Sequence, residues 1–161
     1  MEDLGCITEI YNDAVLRTVA TFDTEAKTDE EQKVWFSGHD SSHPVLVGVE
    51  DGFVAGWASL GKWSDRCAYS GTAEVSLYIK EEYRGKGIGR KLLRAVVEKG
   101  QEAGLHTVIA RIVEGNEASV RLFGSEGFEC IGLMKEVGCK FGKLLNVVMM
   151  QKIYAGNGQL G

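Results

Sequence analysis

Thr72-Ala73-Glu74-Val75-Ser76-Leu77-Tyr78-Ile79 is followed four residues later by Arg84-Gly85-Lys86-Gly87-Ile88-Gly89-Arg90, and these two stretches decide the fold. The first alternates with period two. Glu74, Ser76 and Tyr78 fall on one face of a strand and Val75, Leu77 and Ile79 on the other. The second is a glycine-rich loop, after which Ile88, Leu92, Leu93, Val96 and Val97 recur at helical spacing until about Gly104. A loop of this kind, entering a helix N-terminus, aims backbone N–H groups and a positive dipole end at an anion. Its glycines admit a ligand close to the backbone, with no Cβ in the way. Two other glycine loops fail to match. A dinucleotide fingerprint begun at Gly85 needs glycine where Arg90 stands, and one begun at Gly87 meets Leu92. A P-loop needs Ser or Thr after Gly-Lys, where Gly87 stands. The remaining pattern is Arg-x-x-Gly-x-Gly, or else a tight turn with solvated cations.

Residues 84–94 hold five cations (Arg84, Lys86, Arg90, Lys91, Arg94) and no acid. The chain as a whole has a net charge of −5, so the other 150 of its 161 residues carry −10. One compact positive spot on an acidic body suits a small anionic ligand and argues against a nucleic-acid face, which needs broad basic surface. A chain of 161 residues implies one domain, large enough to bury a core without disulfide or metal staples. Cys6, Cys67, Cys130 and Cys139 form no close pair and read as reduced, structural thiols, so no metal is expected. His39 and His43 are four apart, but Asp-Ser-Ser and Pro44 make a helical metal face a poor fit, and His106 stands alone. No apolar run approaches the ~18 residues of a membrane span, and no signal segment opens the chain. The expectation is a cytoplasmic protein with no membrane or nucleic-acid partner.

Outward from the loop, the pattern predicts a helix over Glu2 to Val15 capped by Asp3, and a capping box, Thr28 to Glu31, opening a second helix to about Gly38. Val45–Val49 and Phe53–Ala58 read as a hairpin around Glu50-Asp51-Gly52. A strand over Thr107–Ile112, a short helix capped by Asn116, and strands from Phe128 to about Met134 and from Leu144 to Met150 complete the chain. Residues 1–154 then form a single α+β domain with a mixed sheet, and 155–161 a flexible C-terminal tail.

The loop resembles the acetyl-CoA pyrophosphate loop of the GCN5-related N-acetyltransferases (GNAT), which is Arg/Gln-x-x-Gly-x-Gly/Ala. Asn116-x-x-Ser119-x-x-Leu122-Phe123 with Gly127-Phe128 is similar to that family's second cofactor segment. Ile10-Tyr11-Asn12, Thr21-Phe22, Trp35-Phe36, Arg66-x-Ala68-Tyr69, the segment 72–79 and Lys140-Phe141-Gly142 resemble the phosphinothricin and methionine sulfoximine acetyltransferase branch. The resemblance implies an α/β three-layer arrangement with a central mixed, twisted sheet and helices on both faces. It also implies acetyl-CoA as cosubstrate, a small-molecule amine as acceptor, no metal, and a homodimer. Three departures stand out. The family has a strand before its first helix, so here that strand is absent or lies upstream. Phe123 replaces a Tyr that protonates the leaving thiolate in many members. Lys143-Leu144-Leu145-Asn146 occupies a segment in which phosphinothricin enzymes carry His.

Acetyl transfer to an amine needs a base for the ammonium, a held thioester and donors for the developing oxyanion. Glu74, on the strand beside the cofactor loop, is the candidate base; its alternative is a structural carboxylate paired with a backbone group or a cation. The resemblance implies that Leu77, Tyr78 and Ile79 offer main-chain groups to pantetheine and the acetyl carbonyl where two parallel strands splay. It also gives the pyrophosphate to Arg84, Gly85, Lys86, Gly87, Ile88, Gly89 and Arg90. Asn116 and Ser119 are candidates for cofactor contacts, or else an N-cap and a surface serine. Phe22, Phe36, Arg66 and Tyr69 are the expected acceptor residues, Arg66 because a guanidinium suits a carboxylate, whereas Trp35 reads as core. A peptide N-acetyltransferase would need an open groove, and a non-catalytic acyl-CoA-binding regulator could dispense with Glu74.

Overall fold

Residues 2–156 are described in the computed structural model of the chain; the expected tail lies beyond them except for a turn at 155 and 156. The helices are α1 (Leu4–Arg17), α2 (Asp29–Ser37), α3 (Ile88–Glu102) and α4 (Glu117–Ser125). The strands are β1 (Val45–Glu50), β2 (Phe53–Lys62), β3 (Thr72–Ile79), β4 (Thr107–Val113), β5 (Glu129–Lys140) and β6 (Lys143–Ile153). They form one sheet in the order β1-β2-β3-β4-β6-β5, antiparallel throughout except for β3 and β4. This is the mixed α+β sheet expected of the sequence.

Local chemistry accounts for the element ends. Thr28 accepts from the Glu31 N–H while the Glu31 carboxylate accepts from the Thr28 N–H, so the capping box opens α2 as expected. Asp51 and Gly52 both take positive φ, 51° and 81°, and make the two-residue turn joining β1 to β2. Asp3 occupies the N-cap of α1, but its side chain makes no capping bond; only its carbonyl accepts, from the Ile7 N–H.

Two apolar layers hold the helices to opposite faces of the sheet. Leu93 and Val96 of α3 are fully buried against Ala58 and Leu60 of β2 and Val108 of β4. On the other face, Ile7 and Ile10 of α1 pack with Val54 and Trp57 of β2, and Trp35 of α2 joins that layer, a core residue as expected. Trp57 and Ala58, adjacent on one strand, serve the two layers separately. Among the described residues no helix is long and apolar enough to cross a membrane.

The β5–β6 hairpin is longer than the pattern suggests. β5 continues past Met134 to Lys140 through a break in register between Met134 and Gly138, where Glu136 adopts φ 53°. Asn146 holds the break: its Oδ1 accepts from the Glu136 N–H at 2.7 Å, and its Nδ2 donates to Glu114 Oε2 at 2.7 Å.

Candidate active site

β3 and β4 pair at three rungs only: Thr72 with Thr107, Ala73 with Val108 and Glu74 with Ile109. Beyond Glu74 the two parallel strands separate and leave a gap in the sheet. The Gly71 carbonyl accepts from the Thr107 N–H, and the Thr72 carbonyl accepts from the Trp63 N–H. Because a strand alternates, the main-chain groups of Val75, Leu77 and Ile79 therefore turn toward the gap and those of Ser76 and Tyr78 toward β2. Leu77 and the Ile79 N–H can thus offer backbone groups there, whereas the Ile79 carbonyl already accepts from Arg84 Nε. Tyr78 cannot, since its main chain pairs with Trp57; this corrects the expectation for that residue. Its phenol instead lies in the α1-side aromatic layer, 5.3 Å from the Tyr11 ring and 5.0 Å from Trp57, and burial pushes it up to about 12.

The glycine loop stands at the far end of β3. Gly85 and Gly87 take φ 73° and 80°, left-handed values that favour glycine, and Gly87 is the N-cap of α3. A Cβ at either position would meet no atom within 4 Å, so open space lies before the loop. No acid occupies the first turn of α3, whose leading N–H groups have no acceptor within the helix. A pyrophosphate fits this cradle. The cations are less free than the sequence implied. Arg84 Nε donates to the Ile79 carbonyl at 3.2 Å, and the Lys86 ammonium lies 5.0 Å from the Tyr83 ring centroid. Arg90 donates to Ser125 Oγ at 3.2 Å and stands 3.6 Å from Glu126, which Arg94 also holds. The hydrogen bond from Arg94 keeps the largely buried Glu126 carboxyl below the usual carboxylate range.

Glu74, on the last rung, is paired across the mouth of the gap. Arg111 of β4 donates to it twice, Nε to Oε1 and Nη2 to Oε2 at 2.8 Å. The Arg111 guanidinium carbon also lies 5.9 Å from the Trp63 ring centroid. Arg111 went unnoticed in the sequence, although it is the lone charge in Thr107–Val113, an otherwise apolar strand apart from Thr107. That lone charge was the available signal, and the structure places it two residues past the Glu74–Ile109 rung.

Asn116 Oδ1 accepts from the Ser119 N–H at 3.2 Å and caps α4, and Ser119 is half-buried in the first turn. Phe123 is a core residue, edge-to-face with Phe128 at 5.1 Å, and supplies no proton. Of the expected acceptor residues, Phe22 packs on Gly138 of β5, where an added Cβ would lie 2.2 Å from its ring. Phe36 is half-buried on α2, and Arg66 and Tyr69 are exposed between β2 and β3. Among the described residues no hydrogen bond, ion pair or ring contact joins these three to Glu74.

A polar cluster that the sequence did not reveal anchors the segment carrying Phe22. The Lys140 ammonium, almost wholly buried, donates to the Thr21 carbonyl at 2.7 Å. Burial pushes it down from its ordinary value. Tyr11 donates to Asp23 Oδ2 at 2.6 Å, and Lys27 stands 3.2 Å from the same carboxylate. Burial works to raise Asp23, but the bonds from Tyr11 and Lys27 hold it below its ordinary value.

A sheet that splays after three parallel rungs, with a glycine-capped helix N-terminus beside the opening, defines a class of protein. The acetyltransferase (GNAT) family model matches residues 7–128, and the chain belongs to that family. It is an acetyl-CoA-dependent N-acetyltransferase. Over 150 residues it is 39% identical to the L-methionine sulfoximine/L-methionine sulfone acetyltransferase of Salmonella typhimurium, covering 92% of this chain and 88% of that protein. The crystal structure of a ribosomal-protein-alanine N-acetyltransferase from Brucella melitensis superposes with a TM-score of 0.92 at 39% identity, covering 95% of each chain. That of a phosphinothricin acetyltransferase from Sinorhizobium meliloti in complex with acetyl-CoA gives 0.91 at 36%, covering 94% of this chain and 83% of the other.

Proposed function

We propose that the chain moves an acetyl group from acetyl-CoA to the primary amine of a small free amino acid or analogue, of the methionine sulfone, sulfoximine or phosphinothricin kind. The observation that carries this reading is the place of Glu74: on the last parallel rung, at the mouth of the gap into which Leu77 and Ile79 turn their backbone. The names of the Salmonella and Sinorhizobium relatives support the acceptor class.

Gly85 to Gly89 and the first turn of α3 hold the pyrophosphate, with Lys86 and Arg84 adding charge. Asn116 and Ser119, beyond the end of β4, flank the pantetheine arm. Glu74 takes one proton from the acceptor ammonium. The neutral amine attacks the thioester carbonyl, a C–N bond forms, and the C–S bond breaks with its electron pair leaving on sulfur. Phe123 cannot donate, so the thiolate receives the surplus proton of the new amide nitrogen, and Glu74 returns its own to water. Backbone N–H groups at the gap stabilise the oxyanion.

Phe22 and Phe36 wall the acceptor side chain, and Arg66 with Tyr69 attracts its carboxylate. Exposed Ile131, Leu133 and Val137 on edge strand β5, with Leu144 on β6, support a homodimer. Four free thiols accord with a reducing cytoplasm. The second reading is a peptide N-acetyltransferase, which the name of the Brucella relative favours. A non-catalytic acyl-CoA-binding regulator is the third and predicts no turnover.

The test is a steady-state comparison of Arg66→Ala with the unaltered chain, followed by thiol release. The expected outcome is a raised KM for L-methionine sulfone and an unchanged KM for acetyl-CoA. A change in the acetyl-CoA KM alone removes Arg66 from the acceptor site, and absence of any thiol release with free amino acids defeats the reading.

A further inference from the structure

We propose that Arg111 seats the α-carboxylate of the acceptor, so that the Glu74–Arg111 ion pair is the resting form of a zwitterion-binding dyad. The inference rests on the amino-acid reading above and adds to it the residue that separates a free amino acid from other amines.

The placement is specific. Glu74 is the last rung shared by β3 and β4, and Arg111 lies two residues beyond its rung partner Ile109, so the pair crosses the gap where the strands part. Both residues occupy the same face of the sheet, since Ile109 and Arg111 are two apart and Glu74 stands beside Ile109. A strand whose other residues are apolar, Thr107 apart, has no packing need for a guanidinium there. The Arg111 side chain is 52% exposed and that of Glu74 is 23% exposed, so an incoming ligand can reach both. Ion pairs this open to water contribute little to stability, and exchanging one partner is not opposed by the fold.

The charges match the acceptor. An α-amino acid carries its ammonium and carboxylate on one carbon, and here a carboxylate and a guanidinium are in contact. When the acceptor carboxylate takes the Arg111 fork, it does so through the same two N–H groups that now hold Glu74. Glu74 is released beside the ammonium, the group whose proton it must take. The Trp63 ring, 5.9 Å from the guanidinium carbon, keeps Arg111 in place during the exchange. An amine without an α-carboxylate, a peptide N-terminus included, leaves Glu74 paired.

The experiment measures kcat and KM for CoA release with L-methionine sulfone and with its decarboxylated counterpart, 3-(methylsulfonyl)propylamine. The enzymes compared are the unaltered chain, Arg111→Gln, Arg111→Lys and Arg66→Ala, each checked for folding by its melting shift in acetyl-CoA. The unaltered enzyme is expected to prefer the amino acid by about 10- to 100-fold in kcat/KM, the range of a charge-assisted bond. Arg111→Gln is expected to remove most of that preference through the KM of the sulfone, with only the small part due to exposed Arg66 remaining, and Arg111→Lys to restore part of it. Equal losses on both acceptors in Arg111→Gln would mean that Arg111 only steadies Glu74 and would overturn the proposal. So would an intact preference in Arg111→Gln together with its loss in Arg66→Ala. If the unaltered enzyme shows no preference for the carboxylate-bearing acceptor, the amino-acid reading fails as well.

Discussion

Glu74 is singled out by its place on the polar face of a strand that ends at an anion-binding loop, and the structure pairs it with a cation, the structural alternative that the sequence also left open. Its partner shows in the sequence only as the lone charge of an apolar strand; that it meets Glu74 does not show, because the contact spans 37 positions and depends on the parallel register of β3 and β4. The same holds for Lys140, whose partner Thr21 is 119 positions away. Tyr78 was misassigned for a related reason, since which side of a strand its backbone faces is set by the neighbouring strands. If Glu74 is the base, Glu74→Gln keeps the shape of the side chain and removes its proton affinity. Turnover is expected to fall roughly 10²–10⁴-fold. The melting shift in acetyl-CoA, read on the same preparation, should persist. Turnover unchanged from the parent enzyme would leave Glu74 as no more than the Arg111 counter-ion.

The elements that declared themselves are those with a strong period or a cap: α2 with its box, α3 with its stripe, and the β1–β2 turn. β5 did not, because Lys135, Glu136 and Val137 form an exposed break that interrupts alternation halfway along. Two glycines allow element-level tests. Gly87 sits at φ 80° at the entry to α3, so Gly87→Val strains the loop and covers its N–H groups while leaving the core untouched. In the unaltered chain, acetyl-CoA at 100 times its dissociation constant should add about 2.7 kcal/mol of stability. Differential scanning should show that increment vanish in Gly87→Val, and its survival would place the cofactor elsewhere. Gly56 admits the close approach of β2 to the end of β3; a Cβ there would lie 2.4 Å from Ile79 Cδ1 and 2.6 Å from the Tyr78 carbonyl oxygen. Because one obstacle is backbone, Gly56→Ala should cost about 1–3 kcal/mol in urea denaturation, and an unmoved midpoint would contradict this packing.

At the level of the molecule, the fold sorts charge as well as apolar surface. The basic residues of 84–94 lie at one helix entry and along its first turns, while the remaining chain is acidic, and that entry is where the proposed reading docks the anionic donor. The proposed donor half is mostly one continuous segment, 77–90, whose glycines and strand-to-helix order show in the sequence; Asn116 and Ser119 join it from α4. The proposed acceptor half draws on α2, the 18–28 segment, the β2–β3 connection and β4, and only three-dimensional packing decides which of their side chains converge. Acceptor identity is therefore where the assignment is most exposed to refutation. Equimolar L-methionine sulfone and a short peptide with an N-terminal alanine, offered together with acetyl-CoA, compete for the same enzyme. Mass spectrometry of the products then reads the partition directly. N-acetylmethionine sulfone should dominate and disappear with Glu74→Gln; acetylated peptide in excess would contradict the free amino-acid acceptor while leaving the acetyltransferase fold intact.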